Sequence, residues 1–368
     1  MFSSANTTED DLTHLPEVLR LQDVAFEQRG VSTMNRFQSI AASNGMPVSE
    51  VATNTGVAST ASATPRVASV TVAYNNARVL PRQIEALQGQ IRPVDEIVIV
   101  DNASTDGTAA MLQSEYPQVA VLRMPENVGY GGAWSAGLTY ALEHGHDWVW
   151  TFDGDSVPHS HALAALLERT TLAEAGNAQL GMVVALPLHE ETGRCYSPQL
   201  WNEGFQTPPA LLLDQPVWYA DLAIASGSMV RREVVENVGL PRADLFLDFT
   251  DFEYCLRIRS RGYKIAVVTA AKIAHEIGDA REVRLGGLSH VWNNHAPWRE
   301  YYITRNLVYA GWWLYPTLKT KFSVVRHLAR HAGGVFLFGT HKLDCLKKMA
   351  QGFWDGRRAK LGIRFRPA

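Results

Sequence analysis

From Val67 onward, apolar residues fall into short uninterrupted runs separated by stretches in which they recur at helical spacing. The runs Val67–Tyr74, Glu96–Asp101, Val119–Met124 and Trp148–Asp153 predict strands, and Val79–Gln88, Thr108–Ser114 and Gly132–Glu143 between them predict helices. Such alternation predicts βαβ units and a parallel sheet. Ile97-Val98-Ile99-Val100 has no polar face, as expected of a strand covered by helices on both sides. Upstream the pattern is different: Gln38–Pro65 holds one charged residue, Glu50, and 15 Ala, Ser or Thr among 28, with no apolar period. That segment cannot bury enough surface to offset its ordering entropy and predicts a linker. Leu12–Arg36 before it predicts a short helix without evident chemistry, and there is no internal repeat.

Hydrophobic residues make up 46% of the 368 and charged residues 19%, which supports a sizeable core and excludes a wholly disordered or collagen-like chain. Cys195, Cys255 and Cys345 are odd in number and lack CxxC spacing, so neither a disulfide framework nor a cysteine zinc site is expected, and a reducing cytoplasm fits. No run approaches the length of a membrane span, and the first 19 residues hold Glu9, Asp10 and Asp11 but no Lys or Arg, unlike a signal peptide; the expectation is a chain that neither crosses a membrane nor is secreted. The net charge of −3 is unevenly placed: residues 319–368 hold 12 Lys or Arg against Asp344 and Asp355.

In open α/β sheets ligands bind beyond the carboxyl ends of the strands. The strand ends here are polar: Tyr74-Asn75-Asn76, Asp101-Asn102, the loop Asn127-Val128-Gly129-Tyr130-Gly131-Gly132, and Asp153-Gly154-Asp155. Each alone is ordinary turn chemistry, but four at one sheet edge point to a nucleotide-type pocket. Two carboxylates flanking a glycine suit a hard divalent cation, Mg²⁺ or Mn²⁺, with open positions for substrate phosphates; the competing reading is a turn or helix cap before His159–Glu168. Further on, Phe252, Cys255, Leu256 and Arg259 recur at helical spacing, which puts Asp251 in or just before a first turn beside Asp248 and Glu253. Tyr263–Thr269 predicts a strand leading to His275.

These residues, in this order, resemble the family 2 inverting glycosyltransferases of GT-A fold: Val70–Asn75, Val100–Thr108, the loop at Asn127, Asp153-Gly154-Asp155, Asp251-Phe252-Glu253-Tyr254 and His275. The likeness is closest to bacterial rhamnosyltransferases and galactofuranosyltransferases of surface-polysaccharide assembly, with which Pro297–Asn306 is also similar, and it covers about residues 66–310. It implies an α/β fold with a Rossmann-like, mostly parallel sheet flanked by helices. It also implies that Tyr74, Asn75, Asp101, Asn127, Gly131 and Asp153 bind a nucleotide-sugar donor, that Asp153, Asp155 and His275 bind the metal, and that Asp251 is the general base. Departures are Trp134-Ser135 in the glycine loop and Thr250 before Asp251, where many relatives have a second acid. Three parts are expected: an N-terminal extension with linker (1–65), the GT-A domain (66–318) and a basic, amphipathic helical C-terminal extension (319–368).

Two other enzyme classes and one non-catalytic role compete. Asp153-x-Asp155 after an apolar strand resembles the nucleophile motif of haloacid-dehalogenase-type phosphatases, but three strands precede it. A nicotinamide-dependent oxidoreductase would need glycine where Trp134 stands. A non-catalytic sugar-nucleotide-binding protein would not need Asp251 together with the Asp153/Asp155 pair. The basic C-terminus interleaves cations with Phe336, Phe338, Phe353 and Trp354, which suits an anionic membrane surface; a solvated basic tail, or one docked on the acidic remainder, is the plainer reading, and no motif accompanies nucleic-acid binding. The expected acceptor is a glycan or lipid-linked glycan, and the expected location the inner face of the cytoplasmic membrane.

Overall fold

The strand β1 (Val67–Ala73) is buried along its whole length, and the rest of the sheet is laid down on either side of it. In this computed structural model the described residues are 64–367, apart from 176–178, 191–192, 194, 196–197, 203, 276–279 and 286–287. The helix expected at Leu12–Arg36 and nearly all of the linker lie outside them. After β1 come α1 (Leu80–Gln88), β2 (Glu96–Asp101), α2 (Thr108–Glu115), β3 (Ala120–Arg123), α3 (Gly129–Glu143), β4 (Trp148–Asp153), β5 (Val157–Pro158), α4 (Ala162–Ala175) and β6 (Leu180–Leu188). A small hairpin, β7 (Leu200–Trp201) and β8 (Phe205–Gln206), precedes α5 (Ala210–Leu213), β9 (Val217–Ala220), β10 (Ser228–Arg231), α6 (Arg232–Val238), α7 (Thr250–Ser260) and β11 (Lys264–Ala274). A second hairpin, β12 (Ala280–Leu285) and β13 (Leu288–Asn293), leads to α8 (Pro297–Tyr309), α9 (Leu318–Phe338) and α10 (Lys342–Arg357).

The sheet order is β3-β2-β1-β4-β10-β6-β11-β5, with β9 also on β11. β1 is parallel to β2 and β4, β2 to β3, and β6 to β11. β10 runs antiparallel between β4 and β6, and β5 and β9 run antiparallel to β11, so the sheet is mostly parallel. The four strands expected from the apolar runs are β1 to β4, in parallel register, with their polar ends along one edge. β11 continues past the expected Tyr263–Thr269 through a register irregularity between Val268 and Lys272, and that continuation brings His275 to the same region. Trp148, Trp150 and Phe152 on β4 pack with Leu163 and Leu166 of α4 and with Val268 and Ile273 of β11 in one apolar cluster.

Pro65–Ala368 is one compact unit, and the basic segment 319–368 is part of it. α10 lies against α8 so closely that a Cβ on Gly352 would collide with the Tyr301 carbonyl and one on Gly356 with the Arg305 carbonyl. Between the two helices the Tyr301 hydroxyl donates to Asp355 Oδ2 at 2.9 Å. The stretch after α10 then folds back: the Tyr302 hydroxyl accepts from the amides of Arg364 (2.8 Å) and Phe365 (2.9 Å), and the Gly362 amide donates to the Asp244 carbonyl at 2.7 Å. Among the described residues no helix is long and apolar enough to cross a membrane.

Candidate functional site

β4 delivers Asp153 half-buried at its end and Asp155 exposed in the following turn. Gly154 between them has a steric reason: a Cβ there would lie 2.5 Å from Asn76 Oδ1, the atom that accepts the Tyr74 amide at 2.8 Å. The turn after the first strand and the carboxylate turn therefore touch through a residue without a side chain. The buried Gln83 amide of α1 fastens the arrangement, donating to the carbonyls of Asp153 (2.6 Å) and Ser156 (2.5 Å) while Thr71 Oγ1 donates to its Oε1 at 2.8 Å. His275, anchored by its amide to the Leu188 carbonyl, places Nδ1 2.7 Å from Ser156 Oγ and 3.5 Å from Asp155 Oδ1. Asp153, Asp155 and His275 each present a ligand atom, all within 4.8 Å of one another. Residues far apart in sequence thus converge as the resemblance implied, and two carboxylates with an imidazole form a donor set suited to Mg²⁺ or Mn²⁺.

Burial raises the Asp153 carboxyl above its ordinary range; His275 opposes that shift and the Asp155 charge adds to it. Tyr130, from the glycine loop, reaches the same place: its hydroxyl is buried near Asp153, and its pKa is raised well above the ordinary value, by burial first and then by the charges of Asp153 and Asp251. Asp251, in the first turn of α7, accepts its neighbour Phe252's amide at 2.9 Å. Its carboxyl is pushed up to about 7, by burial first and by the charges of Asp153 and Asp248 next.

The two neighbouring acids are bound to cations. Glu253 accepts from Arg257 Nε at 3.0 Å, and Arg257 also bonds the Val238 and Leu240 carbonyls. Asp248 takes Arg299 Nη2 at 2.9 Å, and Arg299 lies near enough to Asp153 to lower that carboxyl's pKa.

Asp251 follows a turn that few sequences would adopt unaided. Phe246, Asp248 and Phe249 all have positive φ (66°, 56° and 65°), at a cost of order 1–3 kcal/mol each. α8 holds this turn from behind. Asn306 Nδ2 donates to the carbonyls of Leu245 (2.9 Å), Leu247 (2.6 Å) and Asp248 (2.8 Å), and Arg305 Nη2 donates to Leu245 O at 2.7 Å. The segment Pro297–Asn306, noted in the sequence without a role, thus supplies both the partner of Asp248 and the clamp on the turn. Tyr130 and Arg299 were not singled out from sequence; the only signals for them were membership of the glycine loop and of that segment.

On the donor side, Asp101 is fully buried. Its Oδ1 accepts the Ser104 amide at 2.9 Å, whereas Oδ2 has no hydrogen-bond partner among the described residues, with Arg123 Nε 3.8 Å away. A buried carboxylate oxygen left open this way fits an N–H supplied by a ligand. Tyr74 and Asn75 sit beside it, but Asn75 Oδ1 is engaged by the Thr105 amide at 2.8 Å. Asn127 is used inside its own loop, its Oδ1 accepting from the Gly129 amide (2.9 Å) and Asn102 Nδ2 (3.1 Å), while its carbonyl meets Arg366 Nε at 3.3 Å. Gly131 is a packing contact, since a Cβ there would overlap the Arg242 carbonyl. Trp134, the departure from the resembled pattern, is a core ring: its Nε1 donates to Thr151 Oγ1 at 3.0 Å and its face meets Tyr254 edge-on.

Residues 69–239 match the family described as Glycosyl transferase family 2. The chain carries a family 2 glycosyltransferase domain. dTDP-rhamnosyl transferase RfbF of Shigella flexneri is similar to it, 28% identical over 213 residues that make up 57% of this chain and 68% of that protein. Galactofuranosyltransferase GlfT1 of Mycolicibacterium smegmatis is 23% identical over 258 residues, 66% of this chain and 82% of that one. The crystal structure of GalNAc-T7 with UDP, GalNAc and Mn²⁺ superposes with a TM-score of 0.52 at 17% identity, over 80% of this chain and 56% of that one, which shows the shared GT-A fold. The protein is thus a glycosyltransferase close to the rhamnosyl and galactofuranosyl transferases. The family match ends before Asp251 and His275, so their place in the glycosyltransferase rests on the geometry above.

Proposed function

We propose that this glycosyltransferase transfers a sugar, with inversion at the anomeric carbon, from a nucleoside-diphosphate donor to a hydroxyl of a growing cell-surface glycan. dTDP-rhamnose and UDP-galactofuranose are the favoured donors, in keeping with what RfbF and GlfT1 are named for. The observation that carries the reading is Asp251: a carboxyl pushed up to about 7, at the carboxylate pair, while its acidic neighbours are bound to arginines. A base works best when its pKa lies near the operating pH. In this reading the Asp251 carboxylate takes the acceptor hydroxyl's proton as that oxygen bonds to the anomeric carbon, and the bond to the diphosphate breaks on the opposite face. Asp101 Oδ2 would receive an N–H of the donor's base, Tyr74 and Asn75 would flank the nucleoside, and the loop of Asn127 and Gly131 would close over it. Asp153, Asp155 and His275 would hold a divalent cation, whose contribution is Lewis-acid stabilisation of the departing diphosphate.

The acceptor is proposed to be lipid-linked and the enzyme to work at the inner face of the cytoplasmic membrane, bound peripherally. Leu318, Phe322, Val325 and Phe336 fall on one face of α9 and are exposed, Leu318 by 85% and Phe322 by 69%. Lys319, Lys321, Arg326 and Arg330 stand on the flanks of that stripe, an arrangement suited to an anionic interface. Of the apolar run 335–338, Val335 packs inward while Phe336 and Leu337 face out. Flotation of the full chain with anionic and neutral vesicles tests this placement: binding only to the anionic ones, reversed by salt, supports it, and binding to neither rejects it.

A further inference from the structure

A shallow depression of about 400 Å³, open to solvent, lies where the end of α10 meets the stretch that follows it, lined by Gln351, Trp354, Asp355, Arg358, Lys360 and Arg364, the last two and Arg358 exposed. Three of these six side chains are cations and one is an acid. That acid, Asp355, is buried and already accepts the Tyr301 hydroxyl at 2.9 Å, with Arg364 Nε a further 3.9 Å contact. The crowding of positive charge extends past the rim. Lys348, its ammonium 3.3 Å from the centre of the Phe365 ring, has its pKa lowered, by desolvation first and by the nearby Arg364 next. At the mouth, Trp354 is exposed, with the guanidinium carbons of Arg357 and Arg358 5.8 and 5.9 Å from its ring centre.

Three cations gathered in a concavity around a single acid, which already accepts the Tyr301 hydroxyl, repel one another, and their convergence becomes favourable when an anion enters. Guanidinium groups donate in a planar fork that matches phosphate oxygens, and an ammonium adds a point charge. We propose that this cavity is a binding site for a phosphate ester, with Arg358, Lys360 and Arg364 as its donors. The site is separate from the carboxylate pair, and it stands whether or not the sugar-transfer reading holds. It also has a connection to the donor side: the stretch that supplies Lys360 and Arg364 continues to Arg366, which pairs with Glu126 at 2.8 Å and touches the Asn127 carbonyl. Phosphate binding would fix the stretch that reaches the donor loop.

The phosphate could belong to a lipid headgroup or to a soluble compound, and two probes separate these sources: inorganic pyrophosphate in solution, followed by calorimetry, and phosphatidylcholine vesicles with and without phosphatidic acid, followed by flotation. The full chain is compared with Arg358→Gln/Lys360→Gln/Arg364→Gln, with the mild single variant Lys360→Gln, and with Lys321→Gln/Arg326→Gln/Arg330→Gln, which removes equal charge from α9. Saturable pyrophosphate binding weakened about tenfold or more in the cavity variant, less in Lys360→Gln and little in the α9 variant, supports the site with a soluble ligand. Binding confined to phosphatidic acid vesicles and lost in the cavity variant supports it with a lipid headgroup. Equal weakening of pyrophosphate binding in the cavity and α9 variants, phosphatidic acid binding unchanged in the cavity variant, or no binding of either probe by the unmodified chain, overturns it.

Discussion

Replacing Asp251 by Asn removes a proton acceptor while keeping an oxygen that can accept the Phe252 amide, now 2.9 Å from Oδ1. Loss of a general base typically costs 10²–10⁴-fold, about 3–5 kcal/mol of transition-state stabilisation. Because the carboxyl is pushed up to about 7, kcat/KM of the unmodified enzyme should rise about tenfold per pH unit below that value and level off above it. Burial, the largest cause, does not depend on a bound cation, so the limb should persist with metal present. The stability consequence has the opposite sense. The folded value of about 7 exceeds the ordinary 3.8, so the stability this group contributes is fully present below 3.8 and is lost as pH rises through about 7. Above pH 7 the buried charge is a burden that Asn lacks, and the variant should melt no lower than the parent there. Nucleotide release across a pH series, with thermal melts of both proteins, provides the assay. Near-normal turnover of the variant, or an unchanged acid limb in whatever activity it keeps, would refute Asp251 as the base.

Asp155→Ala should abolish transfer with the fold intact, because that side chain is 42% exposed, and chelator should do the same reversibly on adding Mg²⁺ or Mn²⁺; full activity in chelator would remove the metal from the account. Asn306→Ala leaves the carbonyls of Leu247 and Asp248 without their side-chain donor and that of Leu245 with Arg305 alone, for about 1–3 kcal/mol of stability, and should lower kcat more than donor affinity, as read by turnover and nucleotide titration. Truncation after Pro316 should give unfolded or aggregated protein by circular dichroism and gel filtration, since it strips the Asp355 partner from Tyr301 and the covering stretch from Tyr302.

The sheet was legible because buried parallel strands read as uninterrupted apolar runs, and the site's acids were legible because they sit where those runs stop. What the sequence hid was of two kinds. Phe246, Asp248 and Phe249 have left-handed backbones without being glycine, and only the clamp by Arg305 and Asn306, about sixty residues later, makes that turn possible. Residues 319–368 read as a separate extension, solvated, docked on the acidic remainder or placed on a membrane, because their charge balance differs so sharply from the rest. Their attachment depends on Gly352 and Gly356 meeting backbone on α8, which composition does not express. Asn75 and Asn127, which the resemblance places at the donor, also have their Oδ1 atoms engaged in shaping loops, a use the sequence does not express.

Donor turnover with product stereochemistry tests the central claim most directly. The full-length protein is incubated with dTDP-rhamnose, UDP-galactofuranose and a panel of other nucleotide sugars, a lipid-linked glycan acceptor, and Mg²⁺ or Mn²⁺, and the anomeric configuration of the product is read by NMR. The account predicts nucleotide release coupled to transfer with inverted configuration, lost in both Asp155→Ala and Asp251→Asn. A product of retained configuration, or transfer that survives in both variants, would contradict it.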